Sequence, residues 1–114
     1  MNDKDIINLE ELKEIMDNDM ELIGECFDEF TKDWTEAFGN VKKAVIAKNA
    51  SELDEAAHKL KGTLRYLAAE QAQQAAYELE LAGKKNNLEG LDEKLSLLEK
   101  KGLEVIDYIK NFEY

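Results

Sequence analysis

Between Met20 and Ala47 the apolar residues Ile23, Phe27, Phe30, Trp34, Phe38, Val41 and Val45 return at every third or fourth position. That period lays all of them along one stripe of a single long helix. Nothing in the sequence interrupts it. The 114-residue chain has no proline and only six glycines, and 36% of its residues are charged, a composition suited to long helices joined by short turns.

The same period recurs further along. Leu53, Ala57, Leu60, Leu64 and Leu67 mark a second helix, and Ala72, Ala75, Ala76, Leu79 and Ala82 a third. Leu91, Leu95, Leu98, Val105, Ile109 and Phe112 mark a fourth, with Gly102 inside its stripe. A turn is expected at Asn49, with Ser51 and Asp54 supplying a hydroxyl and an acid at capping distance, and Gly83 to Gly90 reads as a loop. A shorter element, Asn8 to Met16, has an Asn cap, Glu11 three residues later, and Leu12 with Ile15 turned inward to cover one end. Short connections force neighbouring helices antiparallel. The expected fold is therefore all-α: an antiparallel up-down-up-down four-helix bundle with a short extra N-terminal helix, forming a single domain over 1–114. An extended coiled-coil hairpin would not need Phe27, Phe30, Trp34 and Phe38, which suit a wider core.

Charge narrows the partners. Fifteen basic residues against 26 acidic ones leave a formal charge of -11, which repels nucleic-acid phosphates and anionic lipid headgroups and favours a monomer. Cys26 is the single cysteine and His58 the single histidine, so neither an internal disulfide nor a Cys/His metal cluster is available. No apolar run reaches the ~18 residues of a membrane span, and Met1-Asn2-Asp3-Lys4-Asp5 lacks the layout of a signal peptide. A cytoplasmic protein is expected.

The chemistry-bearing stretch is Ala56-Ala57-His58-Lys59-Leu60-Lys61-Gly62-Thr63-Leu64-Arg65. Measured from the centre of the buried stripe, His58 lies about 140° round the helix, Gly62 about 180°, Arg65 about 120° and Lys61 about 80°. The imidazole points to solvent. A lone exposed histidine is ordinarily without a task, but Gly62 sits one turn beyond it on the outward face. Glycine there costs about 1 kcal/mol relative to alanine, and no turn or cap requires it. Clearance for an approaching partner explains it better than helix packing, because the position opposes the buried stripe. Lys61 and Arg65 lie along one flank, where their cations can stabilise a phosphoryl group on the ring. A neutral imidazole has a free lone pair and attacks phosphorus without a general base. No serine or cysteine is placed to form a triad with it, since Cys26 falls on the core-facing part of the preceding helix.

His58-Lys59-Leu60-Lys61-Gly62, preceded by Ala56-Ala57 and set early in the second long helix, resembles the site of the histidine-containing phosphotransfer (HPt) domain family. The family pattern His-x-Leu-Lys-Gly is matched at all four specified positions, and the likeness extends over most of the chain. One departure is Ala68, where the family often has glycine. The resemblance implies that His58 is phosphorylated on the nitrogen farther from the backbone, that Lys61 stabilises the phosphate and that Gly62 gives clearance. It also implies a shuttle between receiver domains of response regulators and hybrid histidine kinases. The receiver then supplies magnesium and most catalytic groups, so no cofactor is expected on this chain.

Counting back across the turn places His58 beside Thr35 to Lys43 of the preceding helix, with Gly39 and Lys42 expected to reach the partner. The competing readings are a non-phosphorylated helical binding module that sequesters a receiver or kinase, a structural adaptor, and an enzyme. The last has little to work with, lacking a nucleotide-binding segment or paired acids in a catalytic layout.

Overall fold

The computed structural model describes residues 6–112. It contains helices α1 (Leu9–Ile15), α2 (Met20–Ala47), α3 (Ala50–Tyr66), α4 (Glu70–Lys84) and α5 (Leu91–Lys110). Three of them begin on a side-chain oxygen that satisfies an otherwise free backbone N–H. Asn8, Asp19 and Asn49 accept from the amides of Glu11, Leu22 and Glu52, each at 3.1 Å. The cap of α3 is thus Asn49 and not Ser51, and the site helix starts two residues before the hydroxyl. Lys48, at φ +53, makes the reversal between α2 and α3 in the left-handed region.

The long helices form a closed ring in which α2 and α4 each pack against both α3 and α5. Paired contacts fix their directions. Phe27, near the start of α2, meets Phe112 beyond the end of α5 edge-on at 5.2 Å, whereas Trp34 lies over Gly102 in the middle of α5. Lys61 of α3 reaches Glu80 of α4, while Ala50 at the start of α3 lies against Gly83 near the end of α4. Both pairs therefore run antiparallel. The longest dimension is 41 Å, about the length of α2 alone at 1.5 Å per residue, which suits a bundle and rules out an extended hairpin.

Every apolar residue expected on the second and third stripes is buried, as are Leu91, Leu98 and Val105 of α5. Three expectations need correction. Gly83 is not in a loop: α4 continues to Lys84, and Gly83 is buried where a Cβ would lie 2.7 Å from the Ala50 carbonyl oxygen and the Asp54 amide nitrogen. This glycine permits two backbones to touch and does not end the helix. At α1 the inward pair is Leu12 with Met16, the residue that caps the helix end, an i, i+4 pair, and Ile15 is exposed. Cys26 is only half-buried, on the groove between α2 and α3, and burial followed by the charges of Glu29 and Glu25 raises its thiol pKa.

Candidate functional site

α3 buries Leu53, Ala57, Leu60 and Leu64 and turns His58 outward, with 66% of its side chain exposed. Gly62 follows one turn later, and nothing lies within 4 Å of the point a Cβ would occupy. Bare backbone beside a solvent-facing imidazole is therefore present in the fold. Packing gives no reason for the glycine.

The remainder of the site comes from α4. Glu80 is completely buried and is the one buried charged residue among the described residues. One of its oxygens, Oε2, accepts from His58 Nδ1, and the other, Oε1, accepts from Lys61 Nζ at 2.6 Å. Lys84 Nζ stands 3.7 Å from Oε2. Lys61 also lies over the Tyr77 ring, 5.3 Å from its centroid, so its ammonium is held between a carboxylate and an aromatic face.

Burial pushes the Glu80 carboxyl pKa up. Hydrogen bonds from Lys61 and His58, with the charges of Lys61 and Lys84, outweigh it and hold the group below the ordinary carboxylate range. Glu80 is therefore ionised near neutrality and can only accept. The proton between it and the imidazole then resides on Nδ1, so that in the neutral ring the free lone pair is on Nε2. A buried carboxylate sets the tautomer of an exposed imidazole.

The helical stripes alone do not single out Glu80, although it leaves a signal in the sequence. It falls on the stripe of Ala72, Ala76, Leu79 and Gly83, and a carboxylate at a buried position requires a partner from another helix. Of the residues that were expected, His58, Lys61 and Gly62 come together. Arg65 is exposed, and its side chain has no ion pair or hydrogen bond among the described residues.

The side chains that bond His58 and Lys61 come from α4, the following helix. Gly39 and Lys42 are exposed on α2, and Gly39 has open space around it. Neither lines the groove between α2 and α3, whose walls include Asp33, Glu36, Ala37 and Asn40 on one side and Ala56, Lys59 and Thr63 on the other.

The chain matches the family model described as "Hpt domain" over residues 21–111. It belongs to the Hpt domain family. The matched stretch takes in α2 to α5 and the whole site, leaving α1 outside it. Membership carries a phosphotransfer role in two-component signalling. Neither curated proteins nor solved structures gave a match. In this Hpt domain Ala68 has φ +55 in the turn between α3 and α4, a conformation that favours glycine. Its carbonyl accepts from the Asn8 amide at 3.0 Å, which ties the start of α1 to that turn. Among the described residues no helix is long and apolar enough to cross a membrane.

Proposed function

We propose that this Hpt domain is a phosphorelay carrier. His58 accepts a phosphoryl group from the phospho-aspartate of a receiver domain or from a histidine kinase, and passes it to the aspartate of another receiver. The observation that carries the reading is the exposed imidazole whose Nδ1 is bound to buried Glu80, with open space at Gly62 one turn further along the helix.

The chemistry balances without a base. Nε2 attacks phosphorus, the P–O bond of the acyl phosphate breaks, and the aspartate leaves as carboxylate. The phosphorylated ring keeps its Nδ1 proton and becomes cationic, and the ionised Glu80 against that nitrogen stabilises the new charge. In the return step the next aspartate attacks and the neutral imidazole leaves with the same proton in place. The chain thus positions a nucleophile, and the receiver brings the aspartate, the magnesium and the remaining catalytic groups.

Gly62 gives the receiver room to approach, and Lys61 adds positive charge while holding Glu80. Arg65 meets the partner from the exposed flank. Gly39 and Lys42 mark the outer reach of the docking face on α2, so charge reversal at Lys42 should weaken receiver binding; unchanged transfer kinetics would remove it from that face.

The deciding experiment mixes the protein with a phosphorylated receiver. Acid-labile, alkali-stable label on the wild type and none on His58→Gln is the expected result. Tight binding with no label would favour a module that sequesters receivers.

A further inference from the structure

We propose that Lys84 is the cation that takes the phosphoryl group once it is on His58. This rests on the carrier reading and adds to it a residue of α4, outside the His-x-Leu-Lys-Gly stretch. One carboxylate, Glu80, faces two ammonium groups, so the resting cluster holds one positive charge more than it needs. The spare charge belongs to Lys84. Lys61 is committed: its Nζ is 2.6 Å from Oε1, it lies over Tyr77, and its side chain is only 23% exposed. Lys84 is loosely held at 3.7 Å from Oε2, with its side chain 54% exposed and no other ion-pair partner among the described residues.

Position agrees with charge. Oε2 of Glu80 is the atom that also receives His58 Nδ1, so Lys84 and the imidazole converge on one oxygen. Both also line one open cavity on the surface, together with Ser51, Asp54 and Glu55. Lys84 is the only cation in that lining. A phosphoryl group adds negative charge at the rim of this cavity, where Asp54 and Glu55 repel it, Ser51 can donate a hydrogen bond, and Lys84 is the ammonium free to swing over. The long contact with Glu80 is a parking position that costs little to leave.

The test uses potassium phosphoramidate, a small donor that needs no docking face. Its P–N bond breaks, a P–N bond to Nε2 forms, and ammonia leaves. Loading of the full chain is followed by phosphorus NMR, and the lysine ammonium signals by amine-selective proton–nitrogen NMR. The Lys84 signal should move on loading and show coupling to phosphorus. Lys84→Gln should load about threefold more slowly at low salt, the size expected of one charge about 5 Å away in a water-like medium, with Asp54 and Glu55 opposing it. Lys84→Arg should load at the wild-type rate, and high salt should close the gap.

A phosphohistidine that forms at the same rate in Lys84→Gln, with the Lys84 signal unmoved in the wild type, overturns this proposal and leaves the carrier intact. No P–N product on the wild type overturns the carrier reading and this proposal with it.

Discussion

Gly83 and Gly102 face the inside of the bundle, where a Cβ would come within 2.7 Å of the Ala50 and Asp54 backbone and within 2.0 Å of a Trp34 ring carbon. Gly62 and Gly39 face outward from α3 and α2, with nothing within 4 Å. All four lie within helices, where glycine costs about 1 kcal/mol relative to alanine. For the inner pair the cause is on the same chain: helices that could not otherwise touch. For the outer pair the described residues supply no such cause, and the cause proposed above is a partner approaching from solvent.

Breaking the inner half should have the largest effect. Gly83→Ala forces α3 and α4 apart at a contact between two backbones, with no flexible side chain to yield, and should destabilise by about 3 kcal/mol. Gly102→Ala displaces Trp34, which is stacked on Phe38 with ring centroids 5.1 Å apart, and should cost about 2 kcal/mol. Urea denaturation measures both. Wild-type midpoints would mean that the inner glycines are no more required by packing than the outer ones.

Glu80 lies three residues before Gly83 on the same inner side of α4, and there the interior holds a charge bonded to His58 and Lys61. Glu80→Gln keeps the shape but turns an amide toward Lys61, and should destabilise by about 2 kcal/mol near neutrality, because Lys61 loses its carboxylate while keeping partial access to water. The pH dependence has a defined sign. A carboxyl held below its ordinary range in the folded state contributes stability above the unfolded pKa and loses it as pH falls through the folded value. The gap between wild type and Glu80→Gln should therefore stay constant from neutral pH down to about pH 5 and close below about pH 4. A gap that is the same at pH 3 as at pH 7 would show that the glutamate acts through its shape alone.

The outer half makes the reverse prediction. Gly62→Ala should gain about 1 kcal/mol of stability and transfer phosphoryl groups from a receiver at least tenfold more slowly, because a methyl group then stands where the partner closes on Nε2. Loading by a small donor such as phosphoramidate should be almost unchanged, which separates clearance from damage to the imidazole. Gly39→Ala should gain a similar amount of stability and slow receiver transfer less, since it lies away from the imidazole. A Gly62→Ala variant that transfers at the wild-type rate would leave the outer glycine without a function.

The four stripes, the direction of His58 and the bareness of Gly62 were legible because each follows from a helix period applied to residues on one segment. What was not legible depended on a second segment. A glycine near a helix end reads as a stop unless one knows that Ala50 and Asp54 pass across it. Glu80 reads as a solvated acid unless His58 and Lys61 are known to face it from α3. The helix that supplies the bonded partner of the imidazole is another relation between helices, and counting residues across the turn before α3 says nothing of α4. Asn49 and Ser51 differ in a smaller way: both can cap, and the left-handed Lys48 brings the chain round early enough for Asn49 to do so.

Lys48 also supplies the smallest test, because it is the converse of the outer glycines. It is exposed and has φ +53 at the C-cap of α2, a conformation that costs a side-chain-bearing residue about 1 kcal/mol and glycine almost nothing. Lys48→Gly should therefore stabilise by roughly 0.5–1 kcal/mol, the greater freedom of glycine in the unfolded chain offsetting part of the gain. Phosphoryl transfer should not change, since Lys48 makes no side-chain contact with the site. Gly62 and Lys48 then differ in a way one pair of measurements can read: filling the first gains stability and loses function, while emptying the second gains stability and leaves function alone. If Lys48→Gly also slowed transfer, the α2–α3 turn would have to be setting the position of His58, and open space at Gly62 would no longer by itself distinguish a glycine kept for a partner from one kept for the fold.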